Sequence, residues 1–371
     1  RLSKSVLSHS EKEAVIEVLN NGYLGMGEYV QRFESKLSKL FNRPAVCVVN
    51  GTAALHLALQ ACGIGEGDEV LVQSLTYVAS FQAISATGAK AIPCDIETST
   101  LTIDVEDARK RITKRTKAIM PVHYAGCLGN YKAIYDLANK FGLRVIEDAA
   151  HAFGSKLDEN IVGSFGDIVC FSFDGIKTIT SGEGGCIATN DSKVLSLVKD
   201  ARLLGVMNDT QNRFNGKRSW DFEVQCQGWR YHMSDLMAAI GLAQLHKLSY
   251  FSQKRQELSK QYDIELCELN HISTFNRDYT KIVPHIFPMI LSEKINRKKF
   301  QEYLLKNNIQ TGVHYKPNHL LQYFSTKNPR QLENTNKIYK HLISLPLHPD
   351  LKSEDLSYIT KSIEEFVSNY I

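Results

Sequence analysis

The sequence predicts an α/β protein: a large domain on a mainly parallel central sheet, followed by a smaller C-terminal α+β domain. Three observations lead there. Short β-branched or apolar runs recur along the first half of the chain, helix-length stretches separate most of them, and the runs are apolar throughout instead of alternating with polar residues. The first two features make a βαβ rhythm, and unbroken apolarity belongs to strands covered on both faces, as in a parallel sheet.

Taken in order, the strand candidates are residues 45–49, 69–73, 90–95, 118–122, 144–147, 167–173 and 185–189. Among the intervening stretches, 52–62 carries Ala53, Leu55, Leu57, Ala58 and Leu59, and 131–141 carries Ile134, Leu137 and Ala138, both at helical spacing. From "LMAAIGLAQLHKL" one long helix is expected to run on toward Tyr262. Then come a strand-like "VPHIFPMIL", a helix "NRKKFQEYLLKNN", a loop "IQTGVHYKPNH" and an amphipathic helix from Glu354. The expected division is 1–245 for the large, cofactor-binding domain with an N-terminal arm and 246–371 for the small one, with no Pro/Gly-rich linker between them.

A chain of 371 residues, 43% hydrophobic and 23% charged, has the make-up of a soluble globular protein long enough for two domains. Its 44 basic and 40 acidic side chains leave a net charge of only +4, so no whole-molecule field favours nucleic acid. Clusters such as Lys110-Arg111, Lys114-Arg115 and Arg297-Lys298-Lys299 read as solvated helix faces. The 8 cysteines are scattered, several within apolar runs, and none falls in a CxxC or Cys/His spacing, so reduced core thiols and no metal site are expected. With no apolar stretch long enough for a bilayer and no leader pattern, the expectation is a cytoplasmic protein bound to neither membrane nor nucleic acid.

The segment "SFDGIKTITSGEGG", Ser172 to Gly185, brings Lys177 to the end of a strand candidate and follows it with hydroxyls and glycines. Such a lysine is either a solvated loop charge or the covalent anchor of an aldehyde cofactor. For pyridoxal phosphate (PLP) the anchor needs company: an acid that keeps the pyridine nitrogen protonated, N–H and hydroxyl groups for the phosphate, and a flat side chain over the ring. Each helper has a candidate at a strand end. Asp148 in "RVIEDAAHAFGS" suits the acid and equally suits a helix N-cap. His151 could bond the cofactor's phenolic oxygen or be structural. In "VVNGTAALHLAL", Gly51 and Thr52 open a helix whose free N–H groups suit an anion, or form an ordinary strand-to-helix turn. Ser172 adds a hydroxyl. Tyr77 in "SLTYVAS" is the flat cover or a core side chain. A nicotinamide oxidoreductase is disfavoured, because "NGTAALHL" is not GxGxxG and no acid follows at the ribose spacing.

Together these segments resemble the DegT/DnrJ/EryC1/StrS family of sugar aminotransferases, PLP enzymes of the aspartate aminotransferase (type I) fold that act on nucleotide-linked keto sugars. The resemblance runs nearly end to end, through "NGYLGMGEYVQRFE", "NGTAALHLAL", "EDAAHAFGS", "SFDGIKTITSGEGG", "MSDLMAAIGLAQL", "GVHYKP" and "LPLHPDL". It implies that Lys177 forms the Schiff base to PLP, that Asp148 pairs with the pyridinium, that Tyr77 stacks, and that Gly51, Thr52 and Ser172 hold the phosphate. His151 stands where the family carries Gln or His. The resemblance further implies a transaminase with glutamate as donor and a nucleotide-linked 4-keto- or 3-keto-6-deoxyhexose as acceptor. Its setting would be O-antigen, lipopolysaccharide or related amino-sugar biosynthesis, in a homodimer with shared sites. His314, Tyr315 and Lys316 are the expected contacts to sugar or diphosphate, or else an ordinary solvent loop.

Two segments depart from the family pattern. Asp174 stands where His is frequent, and "GWRYHMS" puts Arg230 and His232 where "GYNYRMS" is usual. That asparagine reaches the cofactor phosphate of the neighbouring subunit, so Arg230 is expected to make a charged contact there. The competing readings are a PLP-dependent sugar dehydratase, disfavoured because such relatives replace Lys177 by histidine, and a non-catalytic regulatory or binding protein, disfavoured by Lys177 and Asp148 together.

Overall fold

The computed structural model describes residues 1–217, 220–325 and 331–370. Its strands are β1 (Ala45–Val48), β2 (Glu69–Gln73), β3 (Lys90–Cys94), β4 (Thr116–Met120), β5 (Arg144–Asp148), β6 (Lys156–Leu157), β7 (Asn160–Ile161), β8 (Ile168–Ser172), β9 (Gly185–Thr189), β10 (Ile272–Ser273), β11 (Phe287–Leu291) and β12 (Leu342–Leu345). Seven of them form one sheet in the order β1-β9-β8-β5-β4-β2-β3. From β8 to β3 all pairs are parallel, while β9 runs antiparallel to both β1 and β8. β1 therefore points the same way as the parallel set.

Both faces of this sheet are packed, which is why its strands lack alternation. Ala45 and Cys47 of β1 and Val169 and Phe171 of β8 face a core built around Phe33, Phe41, Phe153 and Phe173. Their neighbours Val46, Val48, Ile168 and Cys170 face the opposite core, with Leu55, Leu59, Phe81 and Ile84. Side chains of a strand alternate in direction, so each residue type must be apolar when both sides are covered. Helices start where a short polar side chain takes a free N–H, at Asn50, Asp104, Asn130, Asp191, Ser234 and Asn296.

Three local features differ from the sequence pattern. β4 begins two residues earlier than the apolar run and stops at Met120, because Pro121 has no N–H to extend the ladder; its carbonyl instead accepts from the Asp148 N–H at 2.9 Å. The long helix expected from residue 236 is two helices, Asp235–Leu245 and Leu248–Leu266. They break at Lys247, whose amine reaches the Glu11 carboxylate at 2.5 Å and the Ser8 hydroxyl at 2.6 Å. Within "VPHIFPMIL" only Phe287–Leu291 is strand, so His285 lies in the loop before it.

The antiparallel sheet β10-β11-β12 carries a core of its own. Tyr262, Phe287, Met289, Phe300, Ile343 and Ile363 meet there, brought by the helices Leu248–Leu266, Arg297–Lys306 and Ser353–Tyr370 and by the sheet. The N-terminal segment binds this part to the lysine loop. Leu2 accepts from the Leu347 N–H at 3.0 Å, and the Ser5 hydroxyl donates to the Gly175 carbonyl. Among the described residues no helix is long and apolar enough to cross a membrane.

One buried ion pair ties the large sheet to its covering helices. Arg202, with no exposed side-chain surface, donates to Glu34 at 2.5 Å and to the Cys47 carbonyl at 2.6 Å, while Glu34 also accepts from the Cys47 N–H at 2.8 Å. Removing one partner of such a pair leaves an uncompensated charge in the core. Glu34→Ala should therefore lower the urea-unfolding free energy by about 3–5 kcal/mol; a loss under about 1 kcal/mol would show that Arg202 finds other compensation.

Candidate active site

β1, β2, β5 and β8 deliver their carboxyl ends to one cleft of about 510 Å³. Asn50, Gly51 and Thr52 line it from β1, Tyr77 from β2, Asp148 and His151 from β5, and Ser172, Asp174 and Lys177 from β8; His314 and Tyr315 close it from the loop after the helix Arg297–Lys306. Nine of the eleven residues singled out in the sequence thus meet in one place. Arg230 and Lys316 do not: both are exposed and neither lines this cleft.

Alternation along β5 gives its two adjacent carboxylates opposite fates. Asp148 faces the cleft and accepts from the Ser80 hydroxyl at 2.7 Å and the Ala150 N–H at 3.2 Å. No helix follows it, so it is not a helix N-cap. Glu147 points the other way, fully buried, and is held by His123 at 2.7 Å and by the hydroxyls of Tyr135 at 2.7 Å and Tyr131 at 3.2 Å. Glu147 braces the strand; Asp148 presents its carboxylate to the cleft.

At the other end of the cleft the helix Gly51–Ala61 offers its N-terminus. Asn50 caps it by accepting the Ala53 N–H at 2.8 Å, and the first helical bond runs from Ala54 to Asn50. The Gly51 and Thr52 N–H groups remain for an anion. Two glycines make this corner possible. A Cβ on Gly51 would lie 2.8 Å from the Ser172 Cβ, and one on Gly185 would lie 2.5 Å from the Asn50 carbonyl oxygen and 2.8 Å from that of Phe171. Only bare backbone lets the ends of β1 and β8 converge with β9 between them.

Lys177 is not a solvated loop charge. Its chain is half-buried and its amine is the desolvated end; burial pushes its pKa down to about 8, against the opposing pull of Asp174 and then Asp148, with Arg255 adding to the fall. Among the described residues no carboxylate lies within ion-pair distance of it. Its polar neighbour is His285, with Nε2 at 3.4 Å. Asp174 accepts from the Ile176 N–H at 3.2 Å, which shapes the turn that carries Lys177. Glu183 also lines the cleft, its pKa raised by burial and by the Asp174 charge.

His151 is buried, and burial followed by the Lys177 charge holds its pKa well below the usual histidine range, so the ring is neutral. Its Nδ1 accepts from the Ala125 N–H at 3.3 Å, which leaves the proton on Nε2, 2.9 Å from the Tyr315 hydroxyl. Tyr315 accepts there and keeps its own proton for something in the cleft. Tyr124 donates to the His314 carbonyl and so fixes this loop against the large sheet. Tyr77 is 59% exposed, which rules out core packing; its ring stands 5.5 Å from that of Tyr315 over the cleft.

Sequence reasoning missed several residues here. Ser80 sits one helical turn after Tyr77 in the quoted "SLTYVAS", and Asn50 precedes Gly51 in a capping signature, so both carried a signal. His285 carried none, since its position depends on a contact 108 residues away in sequence.

With this geometry in view, a profile of the DegT/DnrJ/EryC1/StrS aminotransferase family matches residues 6–364. The chain belongs to that family. Its relatives include the spore coat polysaccharide biosynthesis protein SpsC of Bacillus subtilis, 33% identical over 374 aligned residues, 98% of this chain and 96% of SpsC. Among solved structures, the Helicobacter pylori aminotransferase PseC, involved in the biosynthesis of pseudoaminic acid, superposes with a TM-score of 0.92 at 29% identity, covering 100% of this chain and 99% of PseC. Streptococcus pneumoniae Spr1654 in its PMP form superposes with a TM-score of 0.92 at 26% identity, covering 100% of both chains, and a PLP form of it is also known. The mainly parallel sheet is thus that of the family's sugar aminotransferases.

In this family member the desolvated lysine makes a stability prediction. Its folded-state pKa is depressed from 10.5 to about 8, so below pH 8 both folded and unfolded chains are protonated and the folded state bears the whole desolvation cost. That cost fades as pH rises from 8 to 10.5. Lys177→Met should therefore stabilise the cofactor-free protein by up to about 3 kcal/mol at pH 7, a gain that shrinks toward zero above pH 10.5. Thermal melts at both pH values read it; a gain independent of pH would contradict a buried amine.

Proposed function

We propose that this chain is a PLP-dependent transaminase that moves an amino group from glutamate to a nucleotide-linked keto sugar. The observation that carries the reading is the amine of Lys177, desolvated and, among the described residues, without an ion pair, in the same cleft as the Asp148 carboxylate. PLP and PMP forms of Spr1654 support the cofactor, and the parts of SpsC and PseC in polysaccharide and pseudoaminic acid biosynthesis support a sugar acceptor.

The residues present fit PLP. Gly51, Thr52 and Ser172 would hold the phosphate, in a corner too tight for any side chain at residue 51. Asp148 would hold the pyridine nitrogen, Tyr77 would cover the ring, His151 would face the phenolic oxygen, and Lys177 would take the aldehyde. Bound there, PLP supplies the electron sink that makes an amino acid's α-proton removable.

The chain's own part is to hold and move that proton. The drop in pKa from 10.5 to about 8 raises the neutral fraction of Nζ at pH 7 about 300-fold, to roughly a tenth. A neutral Nζ can take the proton from the donor's α-carbon and deliver one to the acceptor's former keto carbon. Ser80 fixes one oxygen of Asp148, so the carboxylate keeps its orientation through both halves of the reaction. His314 and Tyr315, closing the cleft, are the proposed contacts to the sugar, with Lys316 outside for the diphosphate.

Arg230 would serve the site of a second copy. Exposed apolar side chains at Leu19, Leu24, Met207, Trp220, Phe222 and Val224 offer a surface for that partner.

Three outcomes are expected. Lys177→Ala should abolish both turnover and the absorption band of the Schiff base between PLP and the protein, whereas a variant that kept both would end the assignment. Asp148→Asn should keep some PLP but lose rate by about 100-fold or more in a coupled 2-oxoglutarate assay over dTDP-, UDP- and GDP-linked keto sugars; a near-normal rate removes Asp148 from the chemistry. Light scattering should give twice the chain mass, and a fully active monomer would refute the shared site.

A further inference from the structure

The wall behind Lys177 is basic. His285 is buried, its Nε2 stands 3.4 Å from the Lys177 Nζ, and its ring lies 4.6 Å from that of His151. Its other ring nitrogen, Nδ1, is buried with no partner among the described residues. Behind it lies Arg255, only 1% exposed. One Nη1 of Arg255 donates to the carbonyls of His285 at 3.0 Å, Leu347 at 3.2 Å and Pro284 at 3.5 Å. Arg255 has no carboxylate partner among the described residues; its charge is spent on the backbone that carries His285.

These contacts fix the protonation of the ring. An imidazolium at residue 285 would sit in low dielectric against Lys177, His151 and Arg255, so the ring is neutral and carries one N–H. An unmatched buried N–H is costlier and rarer than an unmatched lone pair, so wherever Nζ is neutral the orphan Nδ1 carries the lone pair and Nε2 carries the proton. Nε2–H therefore points at Lys177, and only an amine with a free lone pair can accept it.

We propose that His285, braced by Arg255, is a positioning residue that docks the amine of Lys177 as a neutral base whenever that amine is released from the cofactor. The proposal rests on the reading of Lys177 as the cofactor's anchor. When an incoming amine takes its place, the two N–H protons of that amine would pass to Nζ as the bonds from carbon to Nζ break and those to the incoming nitrogen form; Nζ would leave as a neutral NH2 whose lone pair accepts the Nε2–H of His285, with no proton passing between His285 and Nζ. When Nζ bonds carbon again, the same lone pair would make the first bond, the hydrogen bond to His285 would break, and the two Nζ protons would pass to the amine that leaves. The other charged or titratable groups facing Nζ are Asp174 from its own turn, Asp148 and His151 after β5, His314 from the closing loop and Arg255 from the helix Leu248–Leu266. The two carboxylates favour the ammonium, and burial and Arg255 oppose it, so the direction is set by a balance that the His285 donor tips.

Acetic anhydride trace-labelling of the full chain, stripped of PLP and read at Lys177 by peptide mass spectrometry from pH 6 to 11, tests this. Gln at residue 285 can place a donor where Nε2 was, whereas Asn withdraws it by one methylene. Wild type should titrate near pH 8, His285→Gln close to it, and His285→Asn higher by about one pH unit or more. In steady state His285→Asn should lose about tenfold in kcat with KM for the donor changed less than about twofold. Coincident midpoints for the Asn variant and wild type, with melting temperatures also matched, overturn the proposal. So does a Gln variant that titrates with Asn. Arg255→Met, which frees the carbonyls and removes the charge, should shift the midpoint in the same direction as Asn, and an unshifted midpoint removes Arg255 from the device. Because labelling is done without PLP, a chain that failed to bind PLP would sink the functional reading and still give these midpoints.

Discussion

Strands β1, β2, β5 and β8 run in one direction, so the backbone leaving them emerges on a single edge of the sheet. That edge receives a helix start with free N–H groups, an exposed tyrosine, a carboxylate and a lysine from segments separated by as many as 126 residues, from Gly51 to Lys177. Parallel pairing achieves this because each connection must cross the sheet and return to the same side before the next strand begins. The antiparallel β9 lies between β1 and β8 without filling the corner, since Gly185 at its start has no side chain to collide with Asn50 and Phe171.

Three cations, two buried and one half-buried with a desolvated amine, show three ways of holding charge away from water. Arg202 has a carboxylate, Glu34, and the pair joins helices to sheet. Arg255 has only carbonyl oxygens, and it fixes a loop. Lys177 has neither among the described residues, and burial lowers its pKa, as it does that of Arg255. On the proposed reading Lys177 is neutral part of the time and cannot keep an acid at contact distance, which agrees with the lack of an ion pair at Nζ among the described residues. The same reasoning separates Glu147 from Asp148: one is saturated by His123, Tyr131 and Tyr135, and the other keeps lone pairs for a ligand.

The smaller sheet and the N-terminal segment complete the cleft from outside. Tyr124 holds the His314 carbonyl, His151 holds the Tyr315 hydroxyl, and Leu2 and Ser5 connect the chain after β12 to the lysine turn. Neutral histidines at 151, 285 and 314 let these layers approach Lys177 closely, because burial keeps each ring uncharged.

The large sheet was legible in the sequence because its signals are local. Apolar runs, short polar caps and glycine-rich turns are written in consecutive residues, and all seven strands of the sheet lie within two residues of the apolar runs that announce them. The lysine and the aspartate were legible for the same reason, each standing at the end of such a run. Direction and contact were not. Whether Asp148 or Glu147 faces the cleft depends on which side of β5 is covered by Tyr131 and Tyr135; the break at Lys247 depends on Glu11; the role of His285 depends on a lysine 108 residues earlier. These are long-range packing outcomes, and a linear pattern records which residues are available without recording which will meet.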